Sequence, residues 1–363
     1  MTQPAAAALP RRALRGLWRH PLLAPLNDAE AWGRLARAVN PVWSFTQTRA
    51  RVLRTVDEAP GVLSLWLQPN ARFAGFRAGQ HVLLELDVAG VRQARCFSFS
   101  QAPRADGQLR LTIKRQTAGA VSVAVHALQP GDIVGLGAAQ GTFAPQGDGP
   151  LLLLAAGSGI TPMMALLQTL ATEDARRDVV LVHAARAPAD RIFAAELQAL
   201  ARTWPTLRLH WHLSQTDGRL DDATIARLVP DWAARETLLC GPDDFMRRIE
   251  AMHAQAGSGA RLHRESFGRR AAPIDPQAAE HAIAFATSGT RFAARAGQSL
   301  LEAAEAAGLA PRFGCRRGIC RTCQCRKRSG SVVNLLTGET SGPGEELIQL
   351  CIAAPLGAVE LAL

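Results

Sequence analysis

The chain has 363 residues, 48% of them hydrophobic, and a formal net charge of +10. A chain of this length is expected to form about two to three domains, each with its own apolar core. The charge comes almost wholly from arginine, since the lysines are Lys114 and Lys327, and no motif of a nucleic-acid-binding module accompanies it. We therefore predict no nucleic-acid partner. No apolar run reaches the roughly 18 residues that a membrane-spanning helix needs.

The cysteine usage favours a reducing compartment. Seven cysteines are present, and four of them are spaced like metal ligands rather than like a disulfide scaffold. Arg11 and Arg12 resemble the start of a twin-arginine export signal, but Arg15, Arg19 and His20 interrupt the stretch that follows, which lacks an apolar region. We therefore expect a cytoplasmic protein.

Residues 1–44 are predicted to be a helical extension. Asn27 and Glu30 have the spacing of a capping box, and apolar residues recur at helical spacing as far as Val39. The segment Arg11–Trp18 has the pattern of a short basic amphipathic helix, which suits contact with an anionic membrane surface and a place at the inner face of the membrane. The alternative, which we favour, is that both segments pack on the next domain.

Residues 45–148 show short strands separated by turns, including a hairpin signal at Ala89-Gly90, and predict an antiparallel β-barrel. A helix-like stretch, Ser122–Leu128, interrupts the strands. The predicted strands are Arg51–Val56, Val62–Gln68, His81–Val88, Val91–Ser100, Leu109–Lys114 and Ile133–Leu136.

Residues 149–262 alternate between strands and helices, which predicts an α/β domain with a doubly wound parallel sheet. The predicted strands are Leu151–Ala155, Val179–His183, Leu207–Leu213 and Thr237–Cys240, and the predicted helices are Pro162–Ala171, Ile192–Arg202, Asp222–Leu228 and Asp243–Gln255.

Residues 263–279 are polar and contain proline, and they predict a linker. Residues 280–363 predict an α+β domain of the β-grasp type. Strands are predicted at His281–Ala286 and Arg291–Ala296, followed by a helix at Ser299–Ala307 that ends at Gly308.

Four cysteines in this last domain have the C-x4-C-x2-C…C spacing of plant-type 2Fe–2S ligands. Gly314 and Gly318 suit a loop that passes close to inorganic sulfide with positive φ. A zinc site and buried unligated cysteines are the alternatives, although structural zinc sites usually pair two C-x2-C knuckles. The four predicted ligands are Cys315, Cys320, Cys323 and Cys351.

Two further features surround these ligands. Cys325 is not needed as a ligand, and strand alternation after Cys323 predicts that it packs under the loop. A collar of basic residues would raise the potential of a cluster and steer an acidic acceptor, with solvated surface charge as the equal alternative. The collar consists of Arg312, Arg316, Arg317, Arg321, Arg326, Lys327 and Arg328.

Arg95, Phe97 and Ser98 lie at the end of a predicted barrel strand and offer a cation, an aromatic face and a hydroxyl. A flavin nucleotide needs such groups for its pyrophosphate, its isoalloxazine ring and a hydrogen bond toward N5, so Ser98 is a candidate catalytic residue. The same alternation of polar and aromatic residues is ordinary in barrels.

Gly119 and Ser122 open the inserted helix, where backbone N–H groups and the helix dipole favour a phosphate. Together with Arg95 they predict a pyrophosphate site and favour FAD over FMN. Phe143 is a further candidate for the flavin wall, with a place in the core as the equal alternative.

A glycine-rich turn, Gly157 and Gly159, follows the first buried strand of the α/β domain and precedes a helix beginning at Thr161 and Pro162. This context lets the phosphates of a nicotinamide dinucleotide approach the backbone, although the third glycine of the dinucleotide fingerprint is absent.

Cys240, Gly241 and Pro242 end another strand of this sheet, and strand carboxyl ends line the ligand crevice of an open α/β sheet. Cys240 is therefore a candidate catalytic residue facing the nicotinamide, or else a buried structural cysteine. Arg186 and Arg191 follow the second strand, where a 2′-phosphate would lie. They favour NADPH, with NADH and solvated surface arginines as the alternatives.

Taken together, these motifs resemble the ferredoxin–NADP reductase superfamily, in the branch with a C-terminal plant-type ferredoxin domain. The resemblance covers residues 45–363 and implies a flavin barrel, a nicotinamide domain and a 2Fe–2S domain. One departure is Phe97, since such families usually have tyrosine there and this chain contains no tyrosine. Stacking on the flavin is retained, but the phenolic hydrogen bond is lost.

A closer similarity is to bacterial oxidoreductases that serve acyl-CoA or acyl-lipid desaturases, and it rests on segments such as Gly75–Val82, Ile192–Leu197 and Asn334–Glu339. The resemblance implies that electrons pass from NAD(P)H through FAD to the cluster and singly to a protein acceptor. The leading candidate for this acceptor is a membrane di-iron fatty-acid desaturase. The alternatives are a soluble, ring-hydroxylating oxygenase, or a non-catalytic electron-transfer subunit without nicotinamide turnover.

Overall fold

The computed structural model describes residues 29–88, 90–117, 119–173, 177–267, 277–316, 318 and 321–363. Several predictions fall outside these residues: the basic segment Arg11–Trp18, the turn residue Ala89, the linker 268–276, Arg317 and the predicted ligand Cys320. Within the described residues, no helix combines the length and the apolar character needed to cross a membrane.

The first domain is an antiparallel barrel whose six strands follow the order β4-β3-β6-β1-β2-β5. An isolated bridge between Phe99 and Leu111 joins the end of β4 to β5, so the two outer strands of the sheet meet. Alternating side chains fill the interior, with Leu65, Leu84 and Phe99 fully buried. The elements are β1 (Arg49–Ala59), β2 (Val62–Pro69), β3 (His81–Val88), β4 (Val91–Ser98), β5 (Leu109–Lys114), α2 (Ala120–Val125) and β6 (Ile133–Leu136).

The second domain is the predicted doubly wound α/β domain, with a parallel sheet in the order β11-β10-β7-β8-β9. Alternate residues of β7 enter hydrophobic clusters on opposite faces of the sheet: Leu151 and Leu153 on one, Leu152 and Leu154 on the other. The strands are β7 (Leu151–Ala156), β8 (Val179–Ala185), β9 (Leu207–Leu213), β10 (Glu236–Cys240) and β11 (Leu262–Glu265). The helices are α3 (Ile160–Glu173), α4 (Ala194–Thr203), α5 (Ser214–Asp217), α6 (Asp222–Leu228) and α7 (Asp243–Gln255).

Strand β11 differs from the sequence prediction, which placed the linker from residue 263 onward. Residues 262–265 instead pair in parallel with β10, so that Glu265 lies beside Cys240 at the edge of the sheet where the strands end. The segment is short and polar, which is why its periodicity did not reveal a strand.

The third domain is a small mixed sheet in the order β13-β12-β18-β14-β16, with a separate β15–β17 pair. Helix α8 begins after Ser299, whose hydroxyl accepts a hydrogen bond from the Glu302 amide, and it is followed by Gly308 at φ 78°, as predicted. The elements are β12 (Glu280–Phe285), β13 (Thr290–Arg295), α8 (Leu300–Ala306), β14 (Gln324–Ser329), β15 (Val332–Asn334), β16 (Glu346–Gln349), β17 (Ala353–Pro355) and β18 (Val359–Leu361).

Helix α1 (Ala29–Val39) precedes the barrel, and its apolar face is not packed as we expected. Trp32, Leu35 and Val39 share one side of the helix and are 45%, 61% and 76% exposed. The chain is fixed to the barrel just after the helix, where the Asn70 side-chain amide donates to the carbonyl oxygen of the buried Val42. The helix is therefore anchored at one end while its apolar side faces outward.

Candidate flavin, nucleotide and cluster sites

A cavity of about 380 Å³ lies where the barrel meets the start of α3, and we call it the barrel cavity. Strands β4 and β5, the N-terminus of α2 and the first turn of α3 all contribute to its wall. Six predicted site residues come together here: Arg95, Phe97, Ser98, Gly119, Ser122 and Thr161. Thr161 was predicted to serve the nicotinamide, and the structure places it in this cavity instead.

The turn before α2 leaves the helix start uncapped by any side chain, since Gly119 is its N-cap residue. A β-carbon at Gly119 would lie 2.7 Å from the Ser122 hydroxyl, so only glycine fits. That hydroxyl accepts from the Gln116 amide at 3.0 Å and donates to the Gly119 carbonyl oxygen at 2.9 Å, which fixes the turn. A cation, aromatic face, hydroxyl and open helix start around one cavity fit a flavin nucleotide.

A buried carboxylate lies beside Ser98. The Ser98 hydroxyl donates to Glu265 at 3.1 Å, and His81 Nδ1 lies 3.2 Å from the other oxygen of the same carboxylate. All three side chains are buried. Phe267, two residues after Glu265, adds an aromatic ring to the barrel cavity. The sequence analysis missed Glu265 and Phe267 because it placed both in the linker.

A second cavity, of about 430 Å³, lies along the carboxyl ends of β7, β8 and β10, and we call it the sheet cavity. Gly157 lines it with φ 54°, and Pro242 lines the opposite side. A β-carbon on Gly159 would overlap the carbonyl oxygen of Cys240, so the glycine turn can approach β10 only because it lacks a side chain. Gly241 is similarly constrained, because a β-carbon there would lie 2.8 Å from Phe245. This shape fits a dinucleotide that approaches the backbone closely.

Arginines surround the sheet cavity, but only one of the two predicted ones lines it. Arg186 lines the cavity and is 77% exposed. Arg191 does not; its guanidinium stacks 5.4 Å from the centre of the Trp211 ring and donates to the Pro188 carbonyl oxygen. Arg219 and Arg248, which the sequence analysis did not single out, also line the cavity. They lie far from the glycine turn along the chain, so only the fold brings them there.

The cysteine loop of the third domain brings together the described cysteines of the predicted ligand set, which are Cys315, Cys323 and Cys351. All three are buried, and the Gly318 amide donates to Cys351 Sγ at 3.3 Å. The hydrogen bond with Cys323 and burial raise the pKa of the Cys351 thiol.

The backbone of this loop turns sharply around those thiols. Positive φ values occur at Arg316, Gly318 and Arg321, and a β-carbon on Gly318 would lie 2.6 Å from Ile352. Gly318 is thus required, as predicted. Gly314 contributes differently, because its carbonyl oxygen accepts a hydrogen bond from Arg95. Buried thiols, an N–H directed at sulfur and left-handed backbone fit a loop that encloses an iron–sulfur cluster.

Three protein families match successive parts of this chain. Residues 55–144 match the oxidoreductase FAD-binding domain, residues 153–251 the oxidoreductase NAD-binding domain, and residues 284–356 the 2Fe-2S iron-sulfur cluster binding domain. These ranges fall in the barrel, the parallel sheet and the small mixed sheet in that order.

Individual proteins match over most of the length. An NADPH oxidoreductase of Mycobacterium tuberculosis (strain ATCC 25618 / H37Rv) is 38% identical over 325 residues, covering 88% of this chain and 85% of the relative. The ferredoxin reductase component of 3-ketosteroid-9-alpha-monooxygenase from Mycolicibacterium smegmatis is 34% identical over 72% of this chain and 79% of its own. The structure of phthalate dioxygenase reductase matches with a TM-score of 0.59 and 22% identity, over 87% of this chain and 97% of that one.

The chain belongs to the ferredoxin–NADP reductase family of flavoproteins with a 2Fe–2S domain. It is therefore an NAD(P)H-dependent oxidoreductase that uses FAD and a 2Fe–2S cluster, as the sequence resemblance implied. The barrel cavity, the sheet cavity and the cysteine loop lie in its FAD-binding, NAD-binding and 2Fe–2S domains respectively.

The three sites of the reductase adjoin one another. Lys114, at the end of β5, lines both the barrel cavity and the sheet cavity. Arg95 lines the barrel cavity and also donates to the Gly314 carbonyl oxygen of the cysteine loop at 2.6 Å. Its guanidinium lies 5.7 Å from the ring of Phe313 in the same loop. Lys114 thus lies between the barrel cavity and the sheet cavity, and Arg95 lies between the barrel cavity and the cysteine loop.

Two predicted residues of the reductase lie in the protein core. Phe143 is buried in the hydrophobic cluster that backs the parallel sheet and does not line the barrel cavity, so the core alternative was right. Cys240 is fully buried in the same cluster and lines neither cavity. Its place facing the nicotinamide stays a prediction.

Three residues of the basic collar around the cysteine loop form ion pairs within the domain. Arg316 pairs with Glu305, Arg326 with Glu345 at 2.8 Å, and Arg328 lies 3.7 Å from Glu360. Lys327 does not belong to the surface at all: it is fully buried and donates to the carbonyl oxygens of Gly342 and Gly344. The steering role predicted for the collar is correspondingly weakened.

Cys325 lies inside the small domain, as expected for a thiol that is not a ligand. It belongs to the hydrophobic cluster that contains Cys323 and Cys351. Burial and the neighbouring Cys323 raise the pKa of Cys325 to about 12. A thiol with this pKa remains protonated at neutral pH and is unreactive.

Proposed function

We propose that this reductase is the electron-supplying component of an oxygenase. The observation that carries the proposal is the contiguous series of sites, in which Lys114 is shared by the two cavities and Arg95 joins the barrel cavity to the cysteine loop. The ferredoxin reductase component named as part of a 3-ketosteroid-9-alpha-monooxygenase supports an oxygenase acceptor.

In this proposal, Arg95, Gly119 and the start of α2 hold the FAD pyrophosphate. Phe97 and Phe267 offer aromatic faces to its ring system, and Ser98, fixed by Glu265, offers a hydroxyl. A bound flavin supplies the conversion of a two-electron hydride donor into single electrons, and the cluster supplies a one-electron exit. The task of the protein is to hold these groups in place and to exclude water.

The ligands proposed for the cluster are the four cysteines of the predicted set, Cys315, Cys320, Cys323 and Cys351. Burial of the three described thiols, the Gly318 amide and the left-handed turns of the loop support this assignment. Cys325, although close in sequence, is not needed as a ligand, because the C-x4-C-x2-C…C spacing already supplies four thiolates.

We further propose that the nucleotide is NADPH. Arg186, Arg219 and Arg248 line the sheet cavity and would stabilise the additional phosphate of NADPH by charge and hydrogen bonding. Stopped-flow bleaching of the flavin absorbance by NADPH and by NADH decides this question. We expect faster bleaching by NADPH at equal concentration, and faster bleaching by NADH would contradict the assignment.

The oxygenase proposal is tested by reconstitution. The purified reductase is mixed with NADPH and an oxygenase component that lacks its own reductase, and the hydroxylated product is measured. Reduction of ferricyanide without any hydroxylation, across a panel of such components, would show an active reductase with another acceptor. Failure to reduce ferricyanide with either nucleotide would instead support a non-catalytic subunit.

A membrane di-iron fatty-acid desaturase is the second candidate acceptor, and α1 is the observation that favours it. Exposed Trp32, Leu35 and Val39 on one side of a helix that carries Arg34 and Arg37 have the character of a membrane-surface helix. Co-sedimentation with anionic vesicles tests the contact, and Leu35→Glu is expected to abolish it. Unchanged sedimentation of that variant, or no sedimentation of the native protein, would remove this support.

A further inference from the structure

A buried arginine joins the barrel to the α/β domain. Arg110 on β5 is 3% exposed, and its guanidinium donates to Glu58 at the end of β1 at 2.7 Å. The same group forms a two-bond pair with Glu196 of α4, at 2.8 and 2.9 Å. Burial works against the charged guanidinium, but the hydrogen bonds and charges of Glu196 and Glu58 outweigh it and raise the pKa of Arg110. The three groups form a permanently charged cluster, which we call the Arg110 cluster.

A cluster of this kind is an inefficient source of stability, because removing the charges of Arg110 and Glu58 from water offsets much of their attraction. Apolar side chains of similar size would hold two domains together at least as well. The ionic arrangement adds directionality, since a planar guanidinium donates hydrogen bonds to carboxylates in only a few relative orientations. The geometry points to a role in fixing how the two domains are oriented.

Both carboxylates of the Arg110 cluster are close in sequence to residues that line the sheet cavity. Glu58 directly precedes Ala59 and Pro60, which line that cavity from the barrel side. Glu196 lies in the first turn of α4, which follows Ile192, a lining residue from the α/β side. The guanidinium therefore ties together the two sides of the cleft that the nucleotide enters.

Phe193, which packs on Arg110, has a strained backbone conformation. It is buried, and it has φ 59°, a left-handed conformation that is strained for a residue other than glycine. Its ring lies 4.4 Å from the Arg110 guanidinium. The strained residue thus packs directly on the arginine and is next to Ile192 in the cavity wall, so the arginine supports the conformation of that wall.

Arg110 is also connected to the barrel cavity through a chain of hydroxyl groups. Its Nε donates to Ser64 at 3.0 Å, Ser64 lies 2.7 Å from Thr112, and Thr112 lies 2.7 Å from Ser100. Thr112 lines the barrel cavity. One side chain is therefore bonded to elements of both cavity walls.

We propose that Arg110 is a positioning residue that sets the separation and orientation of the nicotinamide and flavin sites. The inference rests on the NAD(P)H-to-flavin step of the family and is independent of which protein accepts the electrons. Hydride transfer requires the two reacting atoms to be about 3–3.5 Å apart, and a misplacement of about 1 Å can slow such a step by roughly a hundredfold. The Arg110 cluster, whose hydrogen bonds are directional and whose carboxylates are close in sequence to the lining of the sheet cavity, is suited to that requirement.

The test uses the flavin- and cluster-loaded protein and three variants. Glu196→Gln removes one charge at a side chain that is 40% exposed, so the fold tolerates it, and Arg110→Lys keeps the charge but loses the planar fork. Arg104→Lys is the matched control, because Arg104 forms an exposed pair with Asp106 within the same domain. Whichever nucleotide bleaches the native flavin faster is used throughout.

Two measurements are made on each protein. Stopped-flow bleaching at saturating nucleotide gives the hydride-transfer rate, and its dependence on concentration gives the nucleotide Kd. Hydrogen exchange of the protein without nucleotide shows where the backbone has loosened. For Glu196→Gln and Arg110→Lys we expect a rate about ten- to a hundredfold lower with little change in Kd. Faster exchange is expected only near residues 56–66 and 190–200, while Arg104→Lys matches the native protein in every measurement.

Three results would overturn the proposal. The first is a native hydride-transfer rate in both Arg110 and Glu196 variants. The second is a loss confined to the nucleotide Kd, which would make the cluster part of the binding site instead. The third is faster exchange throughout the chain, which would assign the slower reaction to general destabilisation.

Discussion

The barrel meets its two neighbouring domains in different ways. Toward the α/β domain it offers the buried Arg110 cluster, and the Ala102 amide adds a hydrogen bond to Gln168 of α3 at 2.9 Å. Toward the cysteine loop, the contact that we describe centres on Arg95, which reaches the Gly314 carbonyl oxygen and the Phe313 ring. One interface is ionic and directional, and the other is a contact with backbone and an aromatic ring.

This difference corresponds to the two kinds of transfer that the reductase performs. A hydride moves with its nucleus and requires its donor and acceptor atoms in near contact, so the domains that carry them need a fixed orientation. An electron moves without such contact, so the cluster domain needs proximity and tolerates more freedom. We infer that the α/β domain, on the entry side where NAD(P)H delivers hydride, is fixed in orientation relative to the barrel. The cluster domain, on the exit side where electrons leave, is held near the barrel by Arg95.

Replacing a cluster ligand should abolish electron exit through the cluster and leave reduction of the flavin by NADPH unchanged. Cys351→Ser removes one buried sulfur from the exit side and leaves both cavities intact. We expect cytochrome c reduction through the cluster to be abolished, together with the cluster's absorbance and its electron paramagnetic resonance signal. The rate of flavin bleaching by NADPH should stay native. Slower bleaching would show that the entry side depends on the cluster domain. Cys325→Ser is the matched control and should retain the cluster.

Arg95→Lys tests whether the exit interface depends on one side chain. A lysine keeps the positive charge, but it lacks the geometry that reaches the cavity and Gly314 together. Losing a hydrogen bond of this kind is expected to slow electron transfer from flavin to cluster by about tenfold, measured by flash photoreduction with excess FAD present. Arg92→Lys, at an exposed pair on the same strand, is the control. A native transfer rate would show that the exit side has other determinants.

Much of the site could be predicted where chemistry depends on local sequence. The glycine turn after β7 and the group formed by Arg95, Phe97 and Ser98 are each contained in a short stretch, and Cys315 and Cys323 are similarly close in sequence. The structure places Arg95, Phe97 and Ser98 around one cavity and brings the described cysteines of the predicted set into one buried loop region. The three-domain fold was predicted for the same reason, since strand and helix periodicities are local patterns.

What could not be predicted depends on long-range pairing. Glu265 reaches Ser98 across 167 residues, and Arg110 reaches Glu196 across 86. No periodicity marks such partners, because their proximity follows from the packing of one domain on another. Phe143 and Arg191 show the converse: their local motifs suggested ligand contacts, whereas the fold places one in the core, the equal alternative of the sequence reading, and the other against Trp211.

Gly159→Ala disturbs the entry side by a defined overlap. The new methyl group would overlap the Cys240 carbonyl oxygen, and overpacking of this kind typically costs about 1–3 kcal/mol of folding stability. We expect a lower urea midpoint and a higher Kd for NADPH, with unchanged transfer from flavin to cluster. Gly149→Ala is the control, since a β-carbon there meets nothing within 4 Å. Equal midpoints for the two variants would show that the glycine turn is free to move.

The last test concerns the buried histidine beneath that turn. His183 Nε2 lies 3.0 Å from the Gly157 carbonyl oxygen, and burial lowers the pKa of His183 from its ordinary 6.5 to about 4. The unfolded chain then binds the proton more readily than the folded one, so the free energy of unfolding falls as the pH drops below about 6.5 and levels off below about 4. At pH 5 the loss is expected to be about 2 kcal/mol relative to pH 7, measured by urea unfolding.

His183→Gln keeps a side-chain donor for the Gly157 carbonyl oxygen but cannot take up a proton, so its unfolding free energy should change less between pH 7 and pH 5 than that of the native protein. Because the turn belongs to the entry side, the native protein should lose NADPH affinity over the same pH range while electron exit from a reduced flavin is unaffected. An equal pH dependence in both proteins would move the origin of the acid sensitivity away from the nucleotide turn. It would then lie in another buried histidine such as His253, whose pKa is also lowered by burial.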